Sequence, residues 1–135
     1  MNSVVHFEVT ADDPQRAKKF YGSVFDWKFQ ETGAEFGNYI MAMTAPTDEN
    51  GMNKTPATIN GGIMKKDATA KQTIITVAVT NLKESLEKVK NNGGKVISET
   101  VEIPGIGLYA RIEDTEGNVV SLMEPTHEWQ EKAEK

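Results

Sequence analysis

The sequence predicts an α+β fold made of two successive βαβββ modules, and three observations support it. An alternating segment opens the chain, a helical stripe follows a capping pair, and the same order of signals begins again at Thr73. A chain of 135 residues is one domain's worth. We expect a single domain over residues 1–135, with modules at about 3–66 and 72–125 and a polar tail at 126–135.

Residues 4–10 alternate. Val5, Phe7 and Val9 point one way and His6 and Glu8 the other, as in a strand with one buried face. Asp13 before Pro14 starts a helix: the carboxylate accepts from free amides, and proline suits the first helical position. Ala17, Phe20, Tyr21, Val24 and Phe25 then recur as one apolar stripe. Gly22 weakens the helix interior, so an end near Val24 is expected. Short strands are expected at 27–30 and 39–44. Pro46, Asp48, Asn50, Gly51, Asn53 and Pro56 mark residues 45–60 as a loop. Residues 61–65 read as a strand entered through two glycines.

The second round opens with a β-branched run at 73–79, broken by Ala78 alone. Asn81 precedes a helix and Glu84 follows three residues later, as in a capping box. Leu82, Leu86 and Val89 form its stripe, and Gly93 closes it. Strands are expected at 95–101, 108–112 and 119–123, with a turn at Pro104-Gly105-Ile106-Gly107. A hairpin is expected at Asp114-Thr115-Glu116-Gly117, where Gly117 supplies a positive φ. The tail is polar apart from Trp129 and Ala133 and is expected to dock as a short helix or to fray. The internal repeat spans about 70 residues. One half alone leaves a sheet face uncovered. Two halves side by side are expected to curl their mixed sheet into a cup around a shared concavity, with the helices outside.

Composition excludes several classes. Fifteen basic residues stand against twenty acidic ones, a formal charge of -5, with no basic block; no nucleic-acid partner is expected. No apolar run approaches the roughly 18 residues of a spanning helix, so no membrane partner is expected. Residues 1–9 read as strand, not as a basic region followed by an apolar stretch. No signal peptide is therefore expected, and a cytoplasmic location is. Cysteine is absent, which removes disulfides, thiolate nucleophiles and Cys-based zinc or iron–sulfur sites.

If the helices cover the Val5, Phe7 and Val9 face, His6 and Glu8 point into the concave side. They are then about 7 Å apart, in reach of one ion or one small ligand. The fifth strand presents either Ile74, Thr76 and Ala78 or Thr73, Ile75 and Val77. The last strand presents either Val119, Ser121 and Met123 or Val120, Leu122 and Glu124. His6 has three readings: a half-buried histidine bonded to a neighbour, a ligand-contacting or acid–base group, and a metal ligand. A buried Glu8 needs a partner, and His6 or Arg111 would serve. Arg111 reads either as a surface or salt-bridging residue or as an anchor for an anionic ligand. Met41, Met43, Met64 and Met123 read as core or as lining of an adaptable pocket.

A family resemblance rests on ordered pieces of the whole chain. His6-Phe7-Glu8-Val9, Asp12-Asp13-Pro14, Arg16-Ala17-Lys18-Lys19-Phe20-Tyr21 and Phe25-Asp26-Trp27-Lys28-Phe29 come first. Asn92-Gly93-Gly94-Lys95-Val96, Ile103-Pro104-Gly105-Ile106-Gly107 and Glu113-Asp114-Thr115-Glu116-Gly117-Asn118 follow. This set resembles glyoxalase-like proteins of the vicinal oxygen chelate superfamily, the superfamily of glyoxalases, bleomycin resistance proteins and extradiol dioxygenases. The likeness runs over residues 3–125 and is closest in kind to the small single-domain subgroup related to lactoylglutathione lyase. It implies a tandem βαβββ pair curled into a cup. In metal-dependent members it implies a divalent ion held by His, Glu or Gln from the first, fourth, fifth and eighth strands. Carried onto this chain, those positions fall on His6, near Gly62 or Met64, on Ile74, and on Ser121. His6 alone matches, so the ligand set is incomplete and no cofactor is expected.

Conventional glyoxalase chemistry needs a metal-held enediolate and a base carboxylate, and extradiol cleavage needs a two-His-one-carboxylate iron site; neither is expected. The resemblance, joined to the residue pattern, implies a protein that binds a small molecule in the cup without the usual metal. The lining expected for it is His6, Glu8, Trp27, Tyr39, Met64, Ile74, Thr76, Tyr109, Arg111, Ser121 and Met123, with the three aromatics available for stacking. One alternative is a lyase or isomerase of a small oxygenated metabolite, with His6 as acid or base and Glu8 as its partner. Another is a non-catalytic structural or interaction protein whose own side chains fill the cup. A homodimer is expected, since family members commonly pair and exposed strand edges favour it.

Overall fold

The alternation at the N-terminus forms β1 (Val4–Ala11), and the Asp13–Pro14 pair starts α1 (Pro14–Phe25). A computed structural model describes residues 1–126; the expectation of a docked or frayed tail falls on 127–135, outside the described residues. The chain forms two compact units, His6–Ile74 and a second made of Met1–Val5 with Ile75–Lys135.

In the first unit, Asp13 accepts from the Arg16 amide at 3.1 Å, capping α1. The helix runs one residue past the expected end and stops at Asp26, whose left-handed backbone (φ 58°) returns its N–H to the Gly22 carbonyl. Then follow β2 (Lys28–Glu31), a single 3-10 turn (Ala34–Phe36), β3 (Ile40–Met43) and β4 (Asn60–Lys65). The strand order is β2-β3-β4-β1, antiparallel except for the parallel β4–β1 pair. Val9, Ile40 and Ile63 form the core, with Phe7, Ala11, Ala17, Tyr21 and Phe29 packed against it. The long loop between β3 and β4 is stitched by Asp48, which accepts from the Asn50 and Met52 amides, and by Asn60, which accepts from the Thr44 amide.

The second unit repeats the plan with β5 (Ile74–Ala78), α2 (Leu82–Asn91), β6 (Lys95–Val96), β7 (Val101–Ile103), β8 (Gly107–Glu113) and β9 (Val119–Pro125). Its order is β5-β9-β8-β6, with β7 also paired to β8 and a parallel β5–β9 pair. Asn81 caps α2 through the Glu84 amide at 3.0 Å. Val79, Leu82, Ala110, Ile112 and Leu122 form the core beneath α2, joined by Leu86, Val89 and Val96. The single strand expected at 95–101 is two strands. The Ser98 hydroxyl accepts from the Arg111 amide at 2.8 Å, so a side chain takes a ladder partner's place and pairing lapses until Val101.

The curled cup is corrected: the fold is α+β, and each unit is a β-α-β module on a mixed sheet that is neither closed nor strongly curled. Closure requires edge strands to tilt and pair. In the first unit the edge strand β2 pairs with β3, in the second β6 pairs with β8, and among the described residues neither unit's strands close on themselves. Among the described residues no helix is long and apolar enough to cross a membrane.

Candidate functional site

Each unit has one sheet face under its helix and one face without a helix, and the candidate residues gather on the latter. In the first unit, Phe7 and Val9 belong to the core with α1. Strand alternation therefore puts His6, Glu8 and Thr10 on the opposite face. The register sets His6 beside Asn60, Glu8 beside Gly62 and Thr10 beside Met64, with Met41 across from Gly62 on β3. Tyr39, just before β3, reaches back over this face. Its hydroxyl lies 2.8 Å from His6 Nε2, with the two rings 6.4 Å apart and inclined by 23°.

Two adjacent glycines make this packing possible. A Cβ on Gly62 would fall 1.9 Å from the Tyr39 hydroxyl oxygen, and one on Gly61 would fall 2.4 Å from the Phe7 ring. One glycine thus seats the phenol on the helix-free face, and its neighbour seats the phenyl ring under α1. Burial lowers the His6 pKa to about 4, so the imidazole is neutral near pH 7. Glu8 is buried at 5 % exposure.

In the second unit, Thr76, Ser121 and Arg111 stand side by side across β5, β9 and β8, and Tyr109 stands beside Met123. The Arg111 Nε–H donates to the Tyr109 hydroxyl at 3.0 Å, and that hydroxyl is 2.6 Å from Ser121 Oγ. Arg111, Ser121 and Thr76 are buried at 9 %, 0 % and 2 % exposure. The Thr76 hydroxyl has no hydrogen-bond partner among the described residues. Ile74 is buried two residues earlier on the same face of β5.

His6, Glu8, Tyr39 and Met64 therefore share one face of the first unit, while Thr76, Tyr109, Arg111, Ser121 and Met123 share one face of the second. Trp27 joins neither. Its ring stacks on Tyr21 at 5.0 Å and 8° and packs 5.5 Å from Phe7, on the α1 side, because the left-handed turn at Asp26 folds it back against the helix. Glu124 also serves elsewhere: its carboxylate accepts from the Leu82 amide at 2.8 Å, at the start of α2. Sequence reasoning missed the hydroxyl of Thr10, buried without a partner among the described residues, and the pairing of Tyr39 with His6. The adjacent glycines at 61 and 62 were the one signal for that pairing. Two shallow grooves, of about 500 Å³ beside α1 and about 330 Å³ beside α2, include none of these polar residues in their lining.

Two βαβ-type units with polar residues on their helix-free faces define the class of protein. The chain belongs to the Glyoxalase/Bleomycin resistance protein/Dioxygenase superfamily, whose family model matches residues 3–122. A glyoxylase-like domain-containing protein of Didymella fabae is 33 % identical over 122 residues, covering 85 % of this chain and 88 % of the relative. A lactoylglutathione lyase of Escherichia coli O157:H7 is 28 % identical over 124 residues, covering 90 % and 91 %. Among solved structures, methylmalonyl-CoA epimerase from Mycobacterium tuberculosis aligns with a TM-score of 0.62 at 14 % identity, covering 95 % of this chain and 91 % of that one. At that identity the shared feature is the fold. It is the small-molecule-binding fold of the superfamily.

The divalent ion that the resemblance implies does not fit the residues at its four positions. The His6 nitrogen faces a phenol, neither Gly62 nor Met64 offers a carboxylate or imidazole, Ile74 is apolar and the Ser121 hydroxyl is bonded to Tyr109. Among the described residues no three His, Cys, Asp or Glu side chains gather at one point. Neutral hydroxyls and a nearby guanidinium are poor company for a cation.

Proposed function

We propose that this chain binds a small molecule on a helix-free sheet face and does so without the usual divalent ion. The observation that carries the reading is the seat of Tyr39 over Gly62, which engages the imidazole of His6 at 2.8 Å with a hydroxyl. The mixture of apolar side chains with a few buried polar groups supports it, since small-molecule sites are lined in this way. Native mass spectrometry of tag-free protein, followed by denaturation and metal analysis, is the test. We expect an organic mass that is released on unfolding and no stoichiometric metal. One equivalent of divalent metal that disappears in His6→Ala would overturn the reading.

A second reading is a lyase or isomerase of a small oxygenated metabolite, with His6 as acid or base and Glu8 as its partner. The placement of His6 and Glu8 two residues apart on one face of β1 supports it. A 28 % identical relative that is a lactoylglutathione lyase adds weight. In a substrate screen, His6→Ala should abolish turnover while preserving the far-UV spectrum; unchanged turnover sinks this reading.

A further inference from the structure

A side chain at position 62 and the phenol of Tyr39 compete for one space. The Gly62 φ lies outside the left-handed region, so backbone strain does not bar a side chain there. The obstacle is the Tyr39 ring, whose hydroxyl oxygen and Cζ lie 1.9 and 2.0 Å from the Cβ position. The same hydroxyl sits 2.8 Å from His6 Nε2. An ion on that nitrogen would bind at about 2.1 Å, nearly on top of the phenol oxygen. Glu8 lies beside Gly62 in register on the neighbouring parallel strand, and His6 is two residues before Glu8 on the same face. Strands are about 4.8 Å apart and same-face neighbours about 7 Å, so side chains from 6, 8 and 62 reach a common point.

We propose that Tyr39 and Gly62 act as a pair that keeps divalent metal off His6, and that this face of the first unit becomes a divalent-metal site once the pair is replaced. The inference rests on the metal-free reading above and deepens it by assigning the exclusion to two residues.

The test is calorimetric titration of tag-free protein with Ni²⁺ and with Zn²⁺, comparing the parent chain with Tyr39→Ala/Gly62→Glu. The double variant should take up one equivalent at least about tenfold more tightly than the parent, and adding His6→Ala should remove that uptake. A double variant with a native far-UV spectrum that takes no more metal than the parent overturns the exclusion and leaves the metal-free reading standing. His6-dependent uptake of one equivalent by the parent overturns the metal-free reading and the exclusion together. The steric half is read separately, so a variant that fails to fold does not end the test. Gly62→Ala alone should lower the unfolding midpoint by about 5 °C. The same change in a Tyr39→Ala background should add little further loss. Equal loss in both backgrounds overturns the proposal.

Discussion

In the first unit, the face away from α1 centres on an imidazole and a phenol, with a carboxylate beside a glycine. In the second, the face away from α2 carries a guanidinium, a phenol and two hydroxyls in a row across three strands. The two units share strand order and each has a parallel pair joining the first strand to the last. Their polar groups differ in kind. The first face depends on a titratable ring held neutral by burial, whereas the second is built around a charge that persists at any physiological pH. A repeated backbone plan therefore fixes where side chains face and leaves the chemistry at each face to the residue.

The largest expected effect separates the faces by charge. Arg111→Ala removes a guanidinium that is 9 % exposed and donates to Tyr109, and should cost about 4 kcal/mol in urea unfolding. A loss below about 0.5 kcal/mol would show that the second face does not depend on that charge. The next separates them by pH. Between its unfolded value of 6.5 and its folded value of about 4, His6 binds a proton in the unfolded chain that the folded chain refuses. Its contribution to stability is therefore intact above about pH 6.5 and is lost as pH falls toward 4, by up to about 3 kcal/mol. In His6→Gln, denaturant curves across that range should lose this slope; an unchanged slope would move the proton uptake to other groups.

Tyr109→Phe tests the second row more gently. It deletes the hydroxyl shared by Arg111 and Ser121 and should cost about 1.5 kcal/mol. The smallest effect has the opposite sign. Thr76→Val replaces a buried hydroxyl lacking a partner among the described residues with a methyl group, and should raise stability by about 0.5 kcal/mol. A clear loss instead would mean that Thr76 has a partner in solution.

Much of the backbone was legible because its signals are local. The Asp13–Pro14 start, the Asn81 cap and the hairpin at Asp114 each depend on groups within four residues, and each forms as read. The alternation of residues 4–10 set Phe7 and Val9 under α1 and left His6 and Glu8 on the other face, whereas Val5, expected with them, lies outside that core. The break after Val96 was not legible, because it depends on a hydroxyl bonding an amide thirteen residues later. Nor was the role of Glu124, which caps a helix that begins 42 residues earlier. Trp27 looked like a stacking residue for a ligand, yet its ring found Tyr21 instead.

Local order along the chain was enough to establish two α+β modules, their helix starts and the parity of the first strand, since these follow from contacts a few residues apart. Folding in three dimensions chose the company of each polar group. Tyr39 and His6 are 33 positions apart, and nothing short-range brings a phenol to an imidazole. Their meeting depends on a glycine on β4 leaving space, a fact of packing that periodicity does not encode.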